Sequence, residues 1–206
     1  MEFWFFLDIF ILFMFCLSMC GNDEQNKMIS SICILTLLFF ALFRYEIGGD
    51  YGSYETMYFT VDIDDGLPYP EYSFKLISHV LRSLGFDYQM LFIVYSLIFF
   101  LFFWKGLKYH ASNYCVVMGA IFIFAVESKF GGYLWSMGGI RAFAAIAIVF
   151  FASRYAVERN ALKFAFWIII ASLFHISAFI SLIMYYIPQH AISKKKLIMI
   201  PVIGIF

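Results

Sequence analysis

The chain alternates long apolar runs with short polar punctuation. A membrane-spanning helix needs roughly 17–25 mostly apolar residues. Residues 3–20 form a first such run, with Asp8 an oddity near its start, and the polar turn GNDEQNK, 21–27, follows. Residues 28–45 form a second. A long loop, 44–87, separates it from a third run at 88–104, which Lys105, Lys108 and His110 close. A somewhat short fourth, 111–126, leads to ESKFGGYLWSMGG, 127–139, a turn with two glycine pairs. The fifth covers 140–157, with Arg154, Arg159 and Lys163 around its end. The pattern predicts an all-α protein, a polytopic transmembrane helix bundle forming one integral membrane domain over 1–206.

Residues 163–187 are long enough for one crossing, but His175 and Ser177 interrupt the apolar run. The segment reads either as one span or as two half-crossing helices meeting near His175, and the second is favoured. Irregular backbone at membrane depth is tolerated where it lines a protein cavity. After Lys194, Lys195 and Lys196, the final run KLIMIPVIGIF is too short to span. The expectation is therefore a chain cut in mid-helix, the N-terminal part of a longer protein. At the other end, MEFWFFLDIF lacks a basic leader and reads as a retained first helix.

The long loop divides in two. Residues 55–72 carry Glu55, Asp62, Asp64, Asp65 and Glu71, broken by Pro68 and Pro70. Residues 73–84 then read as a short amphipathic helix, with Phe74, Ile77, Leu81 and Leu84 on one stripe and Lys75, His79 and Arg82 off it. Such a helix lies in the membrane interface or packs on other helices; the pattern fits both.

Composition agrees with the membrane reading. The chain is 64% hydrophobic with mean hydropathy +0.86, where a soluble domain is about half apolar. Its 14 basic and 14 acidic residues cancel, and no basic face for nucleic acid emerges. Cys16, Cys20, Cys33 and Cys115 lie in apolar runs without metal-ligand spacing, so neither a disulfide framework nor a metal site is expected. Lys and Arg set the orientation: with the N-terminus outside, Lys27, Lys105, Lys108, Arg154, Arg159 and Lys163 fall inside, and the acidic loop 44–87 and the turn 127–139 outside.

That topology gathers Arg44, Asp50, Tyr51, Tyr54, Glu71, Glu127, Arg141 and His175 at the outer face. Ionisable groups at a membrane boundary are functional candidates by default. The stretch RYEIGGDYGSY, 44–54, packs an arginine, two acids, three glycines and three tyrosines together. It reads as an interfacial anchor or as a site. Arg141 falls in the first turn of the fifth helix. A cation there opposes the helix dipole, which suits a phosphate held by the guanidinium and free N–H groups; otherwise Arg141 snorkels outward or pairs with Glu127. His175 is a packing residue or a proton acceptor. Asp62-Ile63-Asp64 has the letters of a metal-binding DxD but sits in a solvated acidic loop.

Four patterns occur in order: R-Y-E-I-G-G-D-Y-G-S-Y, then P-E-Y-S-F before the amphipathic helix, then G-G-I-R-A, then F-H-I-S-A. Together they resemble the EpsG family of Wzy-type polysaccharide polymerases. Arg44, Gly48 or Gly49, Asp50 and Tyr54 match its first motif. Glu71 and Phe74 match the second, Ile140 and Arg141 the third (with Ala142 where glutamine is usual), and Phe174, His175, Ser177 and Ala178 the fourth. The resemblance implies a bacterial inner-membrane enzyme, free of cofactors, that polymerises undecaprenyl-pyrophosphate-linked repeat units of O-antigen, capsule or exopolysaccharide. Its implied partners are lipid-linked oligosaccharides, membrane lipid, a chain-length regulator and a flippase. Asp50 or His175 would serve as base, and Arg44 and Arg141 would hold pyrophosphate. Tyr51 and Tyr54 would stack on sugar or bond phosphate, with Glu71 beside the substrate. The alternatives are a lipid-linked-glycan transporter, which would place ionisable groups near the midplane, and a non-catalytic or inactive remnant.

Overall fold

A computed structural model describes residues 2–63, 70–126 and 132–187. The expectations for Asp64, Asp65, Glu127 and Lys194 to Lys196 lie outside these residues. The chain is an all-α helical bundle. Helix α1, Glu2–Cys20, and α2, Asp23–Leu42, form an antiparallel pair. Helix α2 starts inside the polar segment expected to be a turn. Asn22 accepts from the Gln25 N–H while Gln25 accepts from that of Asn22, and Asp23 and Glu24 meet the positive end of the helix dipole. GNDEQNK is thus largely a helix start.

The long loop holds α3, Tyr51–Thr60, and α4, Tyr72–Ser83. Helix α5, Gln89–His110, runs through the basic residues expected to end it, and α6, Tyr114–Val126, returns. A single turn, α7, Tyr133–Gly138, precedes α8, Ile140–Val157, and α9 follows at Ala161–Phe174. By length and apolar character α2, α5 and α8 are able to cross a membrane.

After α9 the chain doubles back. His175 is extended, and the 3₁₀ helix Ile176–Tyr186 returns along α9 and α8. Arg159, at the foot of α9, donates through Nη1 to the Tyr185 carbonyl at 2.6 Å, and Phe164 stacks on Tyr185. Residues 161–186 are therefore a hairpin with His175 at its tip.

Helix α8 is the centre of the bundle. It buries Ala144, Ala145, Ala147, Ala152 and Ala156, small residues that let neighbouring backbones approach. A Cβ on Gly106 of α5 would stand 2.5 Å from the Phe150 ring of α8, so any larger residue there forces that ring to move. Helices α1, α2 and α6 share a second core around Ile11, Cys33, Leu37, Met118 and Ile121. The Tyr114 N–H at the start of α6 donates to Asp23 at 2.8 Å, tying two connections at one end of the bundle. The opposite end carries α3, α4, α7 and the hairpin tip. There α4 packs on α5 and α9: Phe74 and Leu81 of the predicted stripe are buried, and so is Lys75, which the pattern left off it. A row of Tyr72, Leu76 and Val80 remains exposed on its other side.

Candidate functional site

Glu71 stands just before α4, in extended conformation after Pro70, and its side chain caps nothing. Both oxygens go elsewhere. Oε2 accepts a hydrogen bond from Nη1 of Arg141, and Oε1 lies 2.7 Å from Nδ1 of His175. One carboxylate thus joins a loop residue, the first turn of α8 and the tip of the hairpin. The Glu71 and Arg141 side chains are 11% and 9% exposed, that of His175 36%. Beside the positive end of α8, Glu71 of the chain itself gives Arg141 an anionic partner. The guanidinium is further held near the rings of Tyr54 and Phe74, 5.6 and 5.7 Å from their centroids.

The bond to Glu71 has a chemical consequence. A carboxylate accepts only, so Nδ1 of a neutral His175 carries the proton and Nε2 keeps its lone pair. His175 also lines a cavity of about 230 Å³ with Ser177, Ser181 and Ala142. The arrangement is that of an oriented proton acceptor beside a space for a reactant.

Arg44 lies apart from this trio. It is 2% exposed, with its guanidinium 4.6 Å above the Phe92 ring, and its Nε and Nη2 have no hydrogen-bond partner among the described residues. It borders a small cavity of about 10 Å³ with Tyr95, Ser96 and Ser136. The surrounding loop is held through Tyr51, whose hydroxyl donates to Gln89 Oε1 at 2.9 Å; Gln89 in turn donates to the Arg44 carbonyl at 2.7 Å.

Tyr51, Tyr54 and Tyr58 form the buried face of α3. Tyr51 stacks on Phe92, and the Tyr58 hydroxyl donates to the Phe86 carbonyl at 2.7 Å. Burial pushes the Tyr58 phenol above its ordinary pKa, against the pull of Arg82. Tyr51 and Tyr54 therefore sit as core residues under the site rather than on its open surface. Their i, i+3, i+7 spacing was the available sign of a helix.

Asp50 is exposed at the start of α3 and does not cap it. It lines a groove of about 640 Å³ between the Gly48-Gly49 loop and the Gly138-Gly139 junction of α7 and α8, with Trp4 and Trp135. Sequence reasoning had not singled out either tryptophan or Gln89. Gly48 is required where the two segments meet: its φ is +109°, and a Cβ there would stand 2.7 Å from the Met137 carbonyl. Ala142 borders both this groove and the His175 cavity. Among the described residues no group of three or more His, Cys, Asp or Glu is placed to hold a metal ion, and the four cysteines are free thiols.

The EpsG family model matches residues 27–206. The chain belongs to the EpsG family. No curated protein and no solved structure matches it. EpsG membership, with the three long apolar helices, points to a membrane protein of polysaccharide biosynthesis with a polymerase-like function. The matched stretch contains Arg44, Asp50, Glu71, Arg141 and His175, and excludes the whole of α1.

Proposed function

We propose that this EpsG protein is a multi-pass enzyme of the bacterial inner membrane. It joins undecaprenyl-pyrophosphate-linked oligosaccharide repeat units at the outer face. The observation that carries the reading is the Glu71 carboxylate shared between Arg141 and His175.

The chemistry runs as follows. A hydroxyl of the acceptor sugar attacks the anomeric carbon of the donor glycan. The new glycosidic C–O bond forms as the bond from that carbon to the pyrophosphate oxygen breaks, and undecaprenyl pyrophosphate leaves. Nε2 of His175 takes the hydroxyl proton. Glu71 holds the ring in the productive tautomer and stabilises the imidazolium that results. Arg141 fixes Glu71 and adds positive charge where the leaving group develops negative charge. Arg44, without a carboxylate partner among the described residues, contributes uncompensated positive charge from below the site. Tyr54 supports Arg141, and Tyr51 supports the Arg44 loop. Asp50 faces the neighbouring groove as a hydroxyl acceptor. A transporter would collect its ionisable groups near the midplane; their meeting at one end of the bundle supports the enzyme.

The test is complementation of a strain that lacks its polysaccharide polymerase. The wild-type chain is expected to restore long polymer. His175→Ala, at equal membrane level, is expected to cut polymer formation about 10²–10⁴-fold. Long polymer from His175→Ala would remove the proton-acceptor role.

A further inference from the structure

The groove beside Asp50 is chemically unlike the Glu71–Arg141–His175 centre. Among the described residues its one charged lining side chain is the acidic Asp50, and Trp4 and Trp135 line it as well. Trp135 is 58% exposed. Trp4 meets Tyr133 edge-on at 6.0 Å, which fixes α1 against α7. The volume, about 640 Å³, is in the range of small-molecule sites. A carboxylate at the rim repels a pyrophosphate. An acyl tail would gain nothing from Asp50. A sugar ring matches both features, because its C–H face lies on an indole and its hydroxyls donate to a carboxylate.

We infer that this groove is a saccharide subsite. It takes uncharged sugar rings of the acceptor between Trp4 and Trp135, with hydroxyls donated to Asp50. The inference rests on the polymerase reading for the source of the sugar. The shared border at Ala142 puts the occupied groove next to the His175 cavity, so an acceptor lying in the groove extends its terminal hydroxyl toward Nε2. Trp4 lies outside the stretch that matches the family.

The experiment uses the purified full chain in detergent and two probes. One is the oligosaccharide freed from the host's own lipid-linked repeat units by mild acid; the other is undecaprenyl pyrophosphate without glycan. Wild type is expected to bind the free oligosaccharide. Trp135→Ala and Asp50→Asn are each expected to weaken that binding about tenfold and to leave undecaprenyl pyrophosphate binding unchanged. Trp135→Phe, which keeps a ring, is expected to retain most of it. Unchanged oligosaccharide affinity in Trp135→Ala, or loss of both probes together, overturns the subsite. Polymer formation by a wild-type chain that does not bind the oligosaccharide also overturns the subsite and leaves the polymerase reading standing. Tryptophan-dependent binding without any polymer formation supports the subsite and sinks the polymerase reading.

Discussion

His175 Nδ1 and Glu71 Oε1 lie 2.7 Å apart across 104 positions of sequence. The same carboxylate meets Arg141 through its other oxygen. Three separately positioned elements therefore share one buried charge.

The first prediction follows from that sharing. Glu71→Gln breaks the ion pair that the buried guanidinium of Arg141 makes with Glu71, and breaking such a pair costs about 3–5 kcal/mol. The double variant Glu71→Gln/Arg141→Met removes both charges and is expected to recover much of the loss. Polymer formation stays absent in both. Thermal unfolding of the four forms in detergent gives the coupling directly; strictly additive changes would deny the pair an energetic role.

The two glycines of the Arg44–Tyr54 motif separate cleanly. Gly48 has φ +109° and no room for a Cβ, whereas Gly49 has nothing within 4 Å. Gly48→Ala is expected to destabilise by about 1–3 kcal/mol, and Gly49→Ala by no more than about 0.5 kcal/mol. Comparing their melting temperatures checks this; equal losses would refute the close approach of the 47–50 loop to α7.

The hairpin predicts where its feet lie. Cysteines placed at Glu158 and Ile187 are expected to be labelled from the same side of the membrane, the cytoplasmic one. Arg159→Ala, which removes charge-assisted bonds to the Tyr185 and Ile187 carbonyls, is expected to cost about 1.5–3 kcal/mol. Labelling from opposite sides would turn 161–186 into a single crossing.

Arg44 gives the sharpest contrast between stability and function. Its buried guanidinium has no counter-charge among the described residues, so Arg44→Met is expected to leave stability unchanged or raised. Polymer formation is expected to fall about ten- to a hundredfold. Long polymer from Arg44→Met at wild-type protein level would exclude Arg44 from the chemistry.

Much of this architecture is written locally. The limits of α8 coincide with the predicted fifth span because glycines bound its start and a charged turn its end. The hairpin was legible as a conflict between a long apolar run and His175 with Ser177. Helix α3 was not, because its start is glycine-rich and its buried face is made of tyrosines, residues equally at home in a binding loop. The pairing of Glu71 with Arg141 and His175 was beyond local pattern altogether. The order of the spans and the Lys/Arg asymmetry put all three at one end of the bundle, but no spacing rule selects a partner 70 positions away.

The order of the trio along the chain has a consequence for biosynthesis. A ribosome adding about 5–20 residues per second makes Glu71 first, Arg141 next and His175 last. The carboxylate thus meets its guanidinium before the imidazole exists, and the trio is complete only when the hairpin inserts, roughly 5–20 s after Glu71 is made. Chains arrested between Arg141 and His175 are expected to form the Glu71–Arg141 contact alone, detectable by cross-linking cysteines placed beside those two positions. Absence of that cross-link would mean the bundle closes only after the hairpin arrives.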